Sequence, residues 1–206
     1  MGTLVSRIHM SMLSPSAVPS DLTAITDALD AVDHDAGALV ADLDHEQFNW
    51  QPQGGGWSIA QCLDHLTRAN SVYLDALRAG AASARSAQLE RQGPIRPSLL
   101  SRLFIRLMGP RAPMKVPAPA KAVPASRLRK EDVLPAFLRI QEDVRAFAQA
   151  CADLDLNRAR FANPFAKGVQ FSVGTGLLVI AAHDQRHLGQ AHRVRQQAAF
   201  PPGVTA

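Results

Sequence analysis

The chain has 206 residues, of which 47% are hydrophobic and only 5% aromatic, a composition that fills one sizeable core and favours helices over sheet. Its formal charge of +4 comes mostly from arginines spread along the chain, with a mild local excess at Arg96, Arg102, Arg106, Arg111, Lys115 and Lys121. No reading motif or set of stacking aromatics accompanies that excess, which excludes the nucleic-acid-binding classes, and no apolar run approaches the length of a membrane span.

Residues 1–19 contain Arg7 but no continuous apolar region that would serve as a secretory signal, so they read as a disordered leader. A single bundle domain is expected over residues 20–198, with a flexible tail over 199–206. Cys62 and Cys151 each sit within a helical pattern and are too few for a disulfide framework, which points to a reduced, cytoplasmic protein.

From Ser20, the residues Leu22, Ile25, Leu29, Val32, Ala36, Leu39 and Leu43 recur in steps of three and four and draw one stripe along a helix, with Ser20 as its expected N-cap. A connector through His45, Phe48, Trp50 and the run Gly54, Gly55, Gly56 follows. Ser58 and Gln61 then form a capping box, with Trp57 placed to pack on Cys62, and open a second helix that is expected to run to about Leu77 and stop at Gly80. Residues 81–97 read as a mobile connector, or one that opens on a frayed extension of that helix.

A short third helix begins at Ser98 and ends at Gly109, with Leu99, Leu100, Leu103, Phe104 and Leu107 as its apolar side. Its Arg102 and Arg106 would suit a membrane surface, but a segment this short reads first as a bundle element with a solvated basic face, so no membrane partner is expected. Pro110, Pro113, Pro117, Pro119 and Pro124 make an extended crossing loop. Val133, Phe137, Ile140, Val144, Phe147, Cys151 and Leu154 mark the fourth helix, in which Pro135 is tolerable near the first turn. The last helix follows Asn163, Pro164 and Phe165 and carries Leu177, Ile180, Ala181, His183, His187, Ala191 and Val194 on its inner face. No strand is expected. The fold class is therefore all-α, a four-helix bundle with one extra short helix and a long proline-rich crossing loop.

His183 and His187 are four apart, so their rings lie one turn above the other on the core-facing stripe, where two unpaired imidazoles would cost desolvation and one divalent metal ion would satisfy both. His65 is the third candidate, on the side of its helix shared by Cys62, Ala69 and Val72. Three imidazoles from two helices leave a coordination position open, as catalytic sites do, and suit zinc, nickel, copper or iron. Asp64 and Asp184 flank these histidines but point elsewhere, which suits capping, surface charge or support of a ligand better than ligation. Cys62 reads as a small buried hydrophobe, His192 as rotated off the face, and His9, His34 and His45 as exposed. No general base stands out, although Asn70 and Tyr73 lie one and two turns beyond His65 and can face the same cavity.

Two motifs give the chain a family likeness: WSIAQCLDHL at residues 57–66, preceded by NWQPQGGG at 49–56, and HDQRHLGQAHRVR at 183–195. In this order they make the sequence, from about Asp21 to Gln197, resemble the DinB-like superfamily, also called the YfiT-like metal-dependent enzymes. The resemblance implies a bundle with up-down-down-up topology and a zinc or nickel ion held at the positions of His65, His183 and His187. It also implies a small-molecule substrate, since characterised members include thiol S-transferases using bacillithiol or mycothiol and an isomerase of a mycothiol conjugate. Homodimers are familiar among such proteins. The rival expectation is a non-catalytic stress-response or dimerisation module with a structural metal or none.

Overall fold

The computed structural model describes residues 18–112 and 117–203, so the expected leader, apart from Val18 and Pro19, lies outside the described residues. Helix α1 (Ser20–Val40) buries Leu22, Ile25, Leu29, Val32, Ala36 and Leu39, the stripe drawn by its periodicity. Ser20 is its first helical residue rather than its cap. Pro19 holds that position, and its carbonyl accepts from the Leu22 and Thr23 amides.

The connector contains a further helix, α2 (His45–Asn49), closed by a capping box of Asp44 and Gln47. His45 is thus helical, and exposed as expected. Helix α3 (Ile59–Ser86) starts at the anticipated box, with Ser58 and Gln61 bonded both ways. It does not stop near Leu77. Gly80 lies inside it, where a Cβ would come within 2.7 Å of the Arg160 carbonyl oxygen, so the glycine permits a close crossing of chains instead of ending the helix.

Nor is the stretch beyond α3 a free connector. The Arg91 amide donates to Asp153 at 2.8 Å and the Asp155 amide to Leu89 at 2.8 Å, while Asp21 accepts from Arg91 at 2.6 Å and from the Ile95 amide at 2.7 Å. Helix α4 (Leu99–Met108) has the expected Ser98 cap, but packs on α6 through Ser101, Phe104, Ile105 and Met108, leaving Leu99, Leu100, Leu103 and Leu107 exposed. The apolar side read from the sequence is therefore the outer one. This helix is apolar nearly all round, and small, buried Ser101 marks the side on which the backbones approach.

In its described part the crossing loop turns at Pro110 and Arg111, where the Ala112 amide donates to the Gly109 carbonyl at 3.2 Å, and contains one short 3-10 helix, Ala120–Ala122; Pro113 lies outside the described residues. Helix α5 (Lys130–Ala150) buries Val133, Phe137, Ile140, Val144 and Phe147 as expected. Pro135 sits in its second turn, on the exposed side of the helix. Before the last helix comes an unanticipated antiparallel hairpin, β1 (Arg160–Ala162) and β2 (Gln170–Ser172), with Phe161 opposite Phe171. Three-residue strands are too short to show alternation. Helix α6 (Val173–Arg195) is capped by Ser172 through the Thr175 amide.

α1 and α3 each pack against α5 and α6. Leu22, Leu77, Val144, Phe147 and Leu177 share one apolar cluster, whereas Leu39, Ile59, Leu63, Phe137, Ala191 and Val194 share another. The starts of α1 and α6 therefore lie with the ends of α3 and α5, which is the up-down-down-up bundle. In the described part of the expected tail, Phe200 packs edge-on against Trp50 and Pro201 accepts from Gln47 at 3.0 Å. No helix among the described residues is long and apolar enough to cross a membrane.

Candidate metal centre

α3 and α6 run antiparallel, so a histidine early in α3 meets histidines late in α6. The structure brings all three candidates together: ring centroids are 5.1 Å apart for His65 and His183, 4.5 Å for His65 and His187, and 4.6 Å for His183 and His187. One ligand atom from each lies within 4.8 Å of the others. His65 is buried, the other two half-buried.

Hydrogen bonds orient the rings. The Nδ1–H of His65 donates to the Ala122 carbonyl at 2.6 Å, which leaves the Nε2 lone pair turned inward, 3.4 Å from His183 Nε2. His187 donates from Nδ1 to Gln190 Oε1 at 3.0 Å. Two nitrogens bound tetrahedrally to one ion at about 2.1 Å would lie about 3.4 Å apart, so the separation of His65 and His183 fits a shared ion. Burial pushes the pKa of His65 down, and that of His183 well down with help from the other two rings. His187 is pushed down to about 3, by burial first and by His65 next. All three rings are therefore neutral donors at neutral pH, the form that metals bind.

Trp57 lies over this group, 4.6 Å from His65 and 5.5 Å from His187 between centroids, a position its proposed packing on Cys62 did not reveal. Cys62 is buried with its thiol pushed up to about 12 by desolvation, as a small hydrophobe would be. Asp64 pairs with Arg68 at 2.8 Å and accepts the Ala125 amide at 2.9 Å, fastening the crossing loop. His192 meets Asp35 at 2.9 Å and His34 is exposed, both away from the cluster. His9 lies outside the described residues.

Of the roles open to Asp184, surface charge is ruled out: the residue is fully buried, its carboxyl pushed up to about 8 by desolvation. Asn70 donates to it at 2.9 and 3.1 Å and to Gln141 at 3.3 Å, so α3, α5 and α6 share a polar layer inside the bundle. One sequence signal was available: on α6, Asp184 falls near the apolar positions Leu177, Leu188 and Ala191.

The histidines form part of the wall of a cavity of about 740 Å³ between α3, α4, α6 and the crossing loop. Trp57, Tyr73, Phe104, Met108, Phe165 and Ile180 give it an apolar lining. Asn70 and Tyr73 both line it as anticipated, and the Tyr73 hydroxyl is buried without a hydrogen-bond partner. Burial pushes that hydroxyl's pKa up, so it stays protonated. A family model described as the DinB superfamily matches residues 28–191. No curated protein and no solved structure matches the chain.

Proposed function

The chain belongs to the DinB superfamily, and from that premise we propose that it is a metal-dependent enzyme whose His65, His183 and His187 hold one divalent ion, zinc or nickel, beside a small-molecule cavity. The observation that carries this reading is three neutral imidazoles converging on one point in the wall of that cavity. A bound ion of this kind supplies Lewis acidity and makes a thiol or water strongly nucleophilic at neutral pH.

The chain's own residues do the rest. The Ala122 carbonyl and Gln190 fix the ring orientations of His65 and His187, so donors are aimed before any ion arrives. Three protein donors leave room toward the cavity, whereas a closed structural site would need a fourth, and the histidine cluster has three members among the described residues. Trp57 covers the histidines and limits water. The apolar lining suits an electrophile of low polarity, and the protonated Tyr73 hydroxyl can donate to it. The reaction proposed is attack of the sulfur of a low-molecular-weight thiolate, or of the oxygen of water, on an electrophilic carbon of such a molecule: the C–S or C–O bond forms as the displaced group departs with its electron pair, and the nucleophile's proton passes to solvent.

The test is metal analysis of dialysed protein, then thiol consumption with monochlorobimane. One equivalent of metal and metal-dependent turnover are expected. Full retention of metal by His65→Ala, His183→Ala and His187→Ala alike would overturn the site; metal without turnover with any common thiol would leave a non-catalytic module.

A further inference from the structure

The outer face of α4 is the largest anomaly of the described surface. Leu99, Leu100, Leu103 and Leu107 are 82%, 68%, 54% and 38% exposed on one side of a single helix. Arg102 and Arg106, also exposed, run along one edge of that stripe. Charge around it is one-signed: residues 91–130 hold ten of the chain's 22 basic residues and none of its 18 acidic ones. Elsewhere Arg68, Arg145 and Arg195 pair with aspartates, but no described carboxylate pairs with Arg96, Arg102, Arg106 or Arg111.

We propose that this face docks on the surface of an anionic phospholipid bilayer. Leucines that would sit at the acyl boundary, edged by guanidinium groups at headgroup level, are the two elements of interfacial helix binding. A second copy of the chain paired antiparallel along α4 fits less well, because that two-fold contact would set Arg102 and Arg106 beside their own counterparts. The opposite face of α4 is held to the bundle, through Phe104 and Met108 and through Arg186 donating to the Leu107 carbonyl at 2.9 Å, so the leucines are presented on a fixed support. Docking does not depend on the metal centre.

Flotation of the full chain with vesicles of phosphatidylcholine alone, or of phosphatidylcholine and phosphatidylglycerol in equal parts, tests this. Association with the anionic vesicles alone is expected, falling about tenfold or more between about 0.1 M and about 1 M salt. Leu100→Ser with Leu103→Ser, and separately Arg102→Glu with Arg106→Glu, should each weaken it about tenfold with unchanged circular dichroism, since all four residues are exposed. No association, equal association with both vesicles, or full association by both variants overturns the proposal. So does a dimer in sedimentation that the leucine variant dissociates while the wild type fails to float.

Discussion

His183 and Asp184 are neighbours in sequence, yet they belong to two different polar regions of the bundle. One turns toward the cavity, where a second nitrogen stands 3.4 Å away and an ion fits between. The other is sealed in the core, where Asn70 bonds its carboxyl. About 100° of helix rotation separates them. The contrast teaches that a polar group on a buried helix serves either an opening or the fold. Hydrogen-bond partners tell which, because the core carboxyl is bonded by a side chain from another helix while the cavity histidines, held from behind by Ala122 and Gln190, keep inward lone pairs.

The comparison breaks most sharply at the histidines. His183→Ala or His187→Ala should lower metal affinity at least about a hundredfold, while the metal-free protein keeps its stability within about 1 kcal/mol. Calorimetric titration and urea unfolding of the same samples check both halves; a large loss of stability would place the histidines with the core region instead.

The core region should answer the other way. Asn70→Leu removes the donor to a fully buried carboxyl and should cost about 3 kcal/mol of stability, measured by urea unfolding, with little change in the histidine geometry. A cost near zero would mean that the polar layer is not what holds that level of the bundle together.

Gln190→Ala sharpens the cavity side. Losing the acceptor of the His187 Nδ1–H should weaken metal binding about tenfold without altering stability. An unchanged affinity would show that ring packing alone orients His187.

The smallest effect lies outside both regions, at Asp21. Burial acts against its charge, but the Ile95 amide and Arg91 outweigh that and hold its carboxyl below the usual value. Its folded pKa being depressed, the contribution is complete above the unfolded pKa and is lost as pH falls through the folded one. Asp21→Asn should therefore cost about 1 kcal/mol at neutral pH, and its melting curve should converge on the wild type's in acid.

Much of this was legible in the sequence. The stripes of α1 and α5, the Ser58–Gln61 box and the Ser98 cap follow from local spacing and hydrogen-bond chemistry that any helix obeys. The i, i+4 pair His183 and His187 was legible for the same reason, as was His65 on the helical side it shares with Cys62, Ala69 and Val72. The Asp44–Gln47 box has the same spacing, but opens a helix of only five residues, too short to show a periodic stripe. What stayed hidden depends on which surface meets which. Gly80 reads as a stop until Arg160 is seen against it, α4 is apolar on both its leucine side and its Phe104, Ile105 and Met108 side, and Asp184 is open to capping, surface or supporting roles until Asn70 and Gln141 arrive from other helices. Sequence determined the helices and their candidate ligands, because periodicity and capping act within a few residues along the chain. Tertiary structure alone decided which faces are buried and whether three rings converge, because those outcomes depend on contacts between residues far apart in sequence.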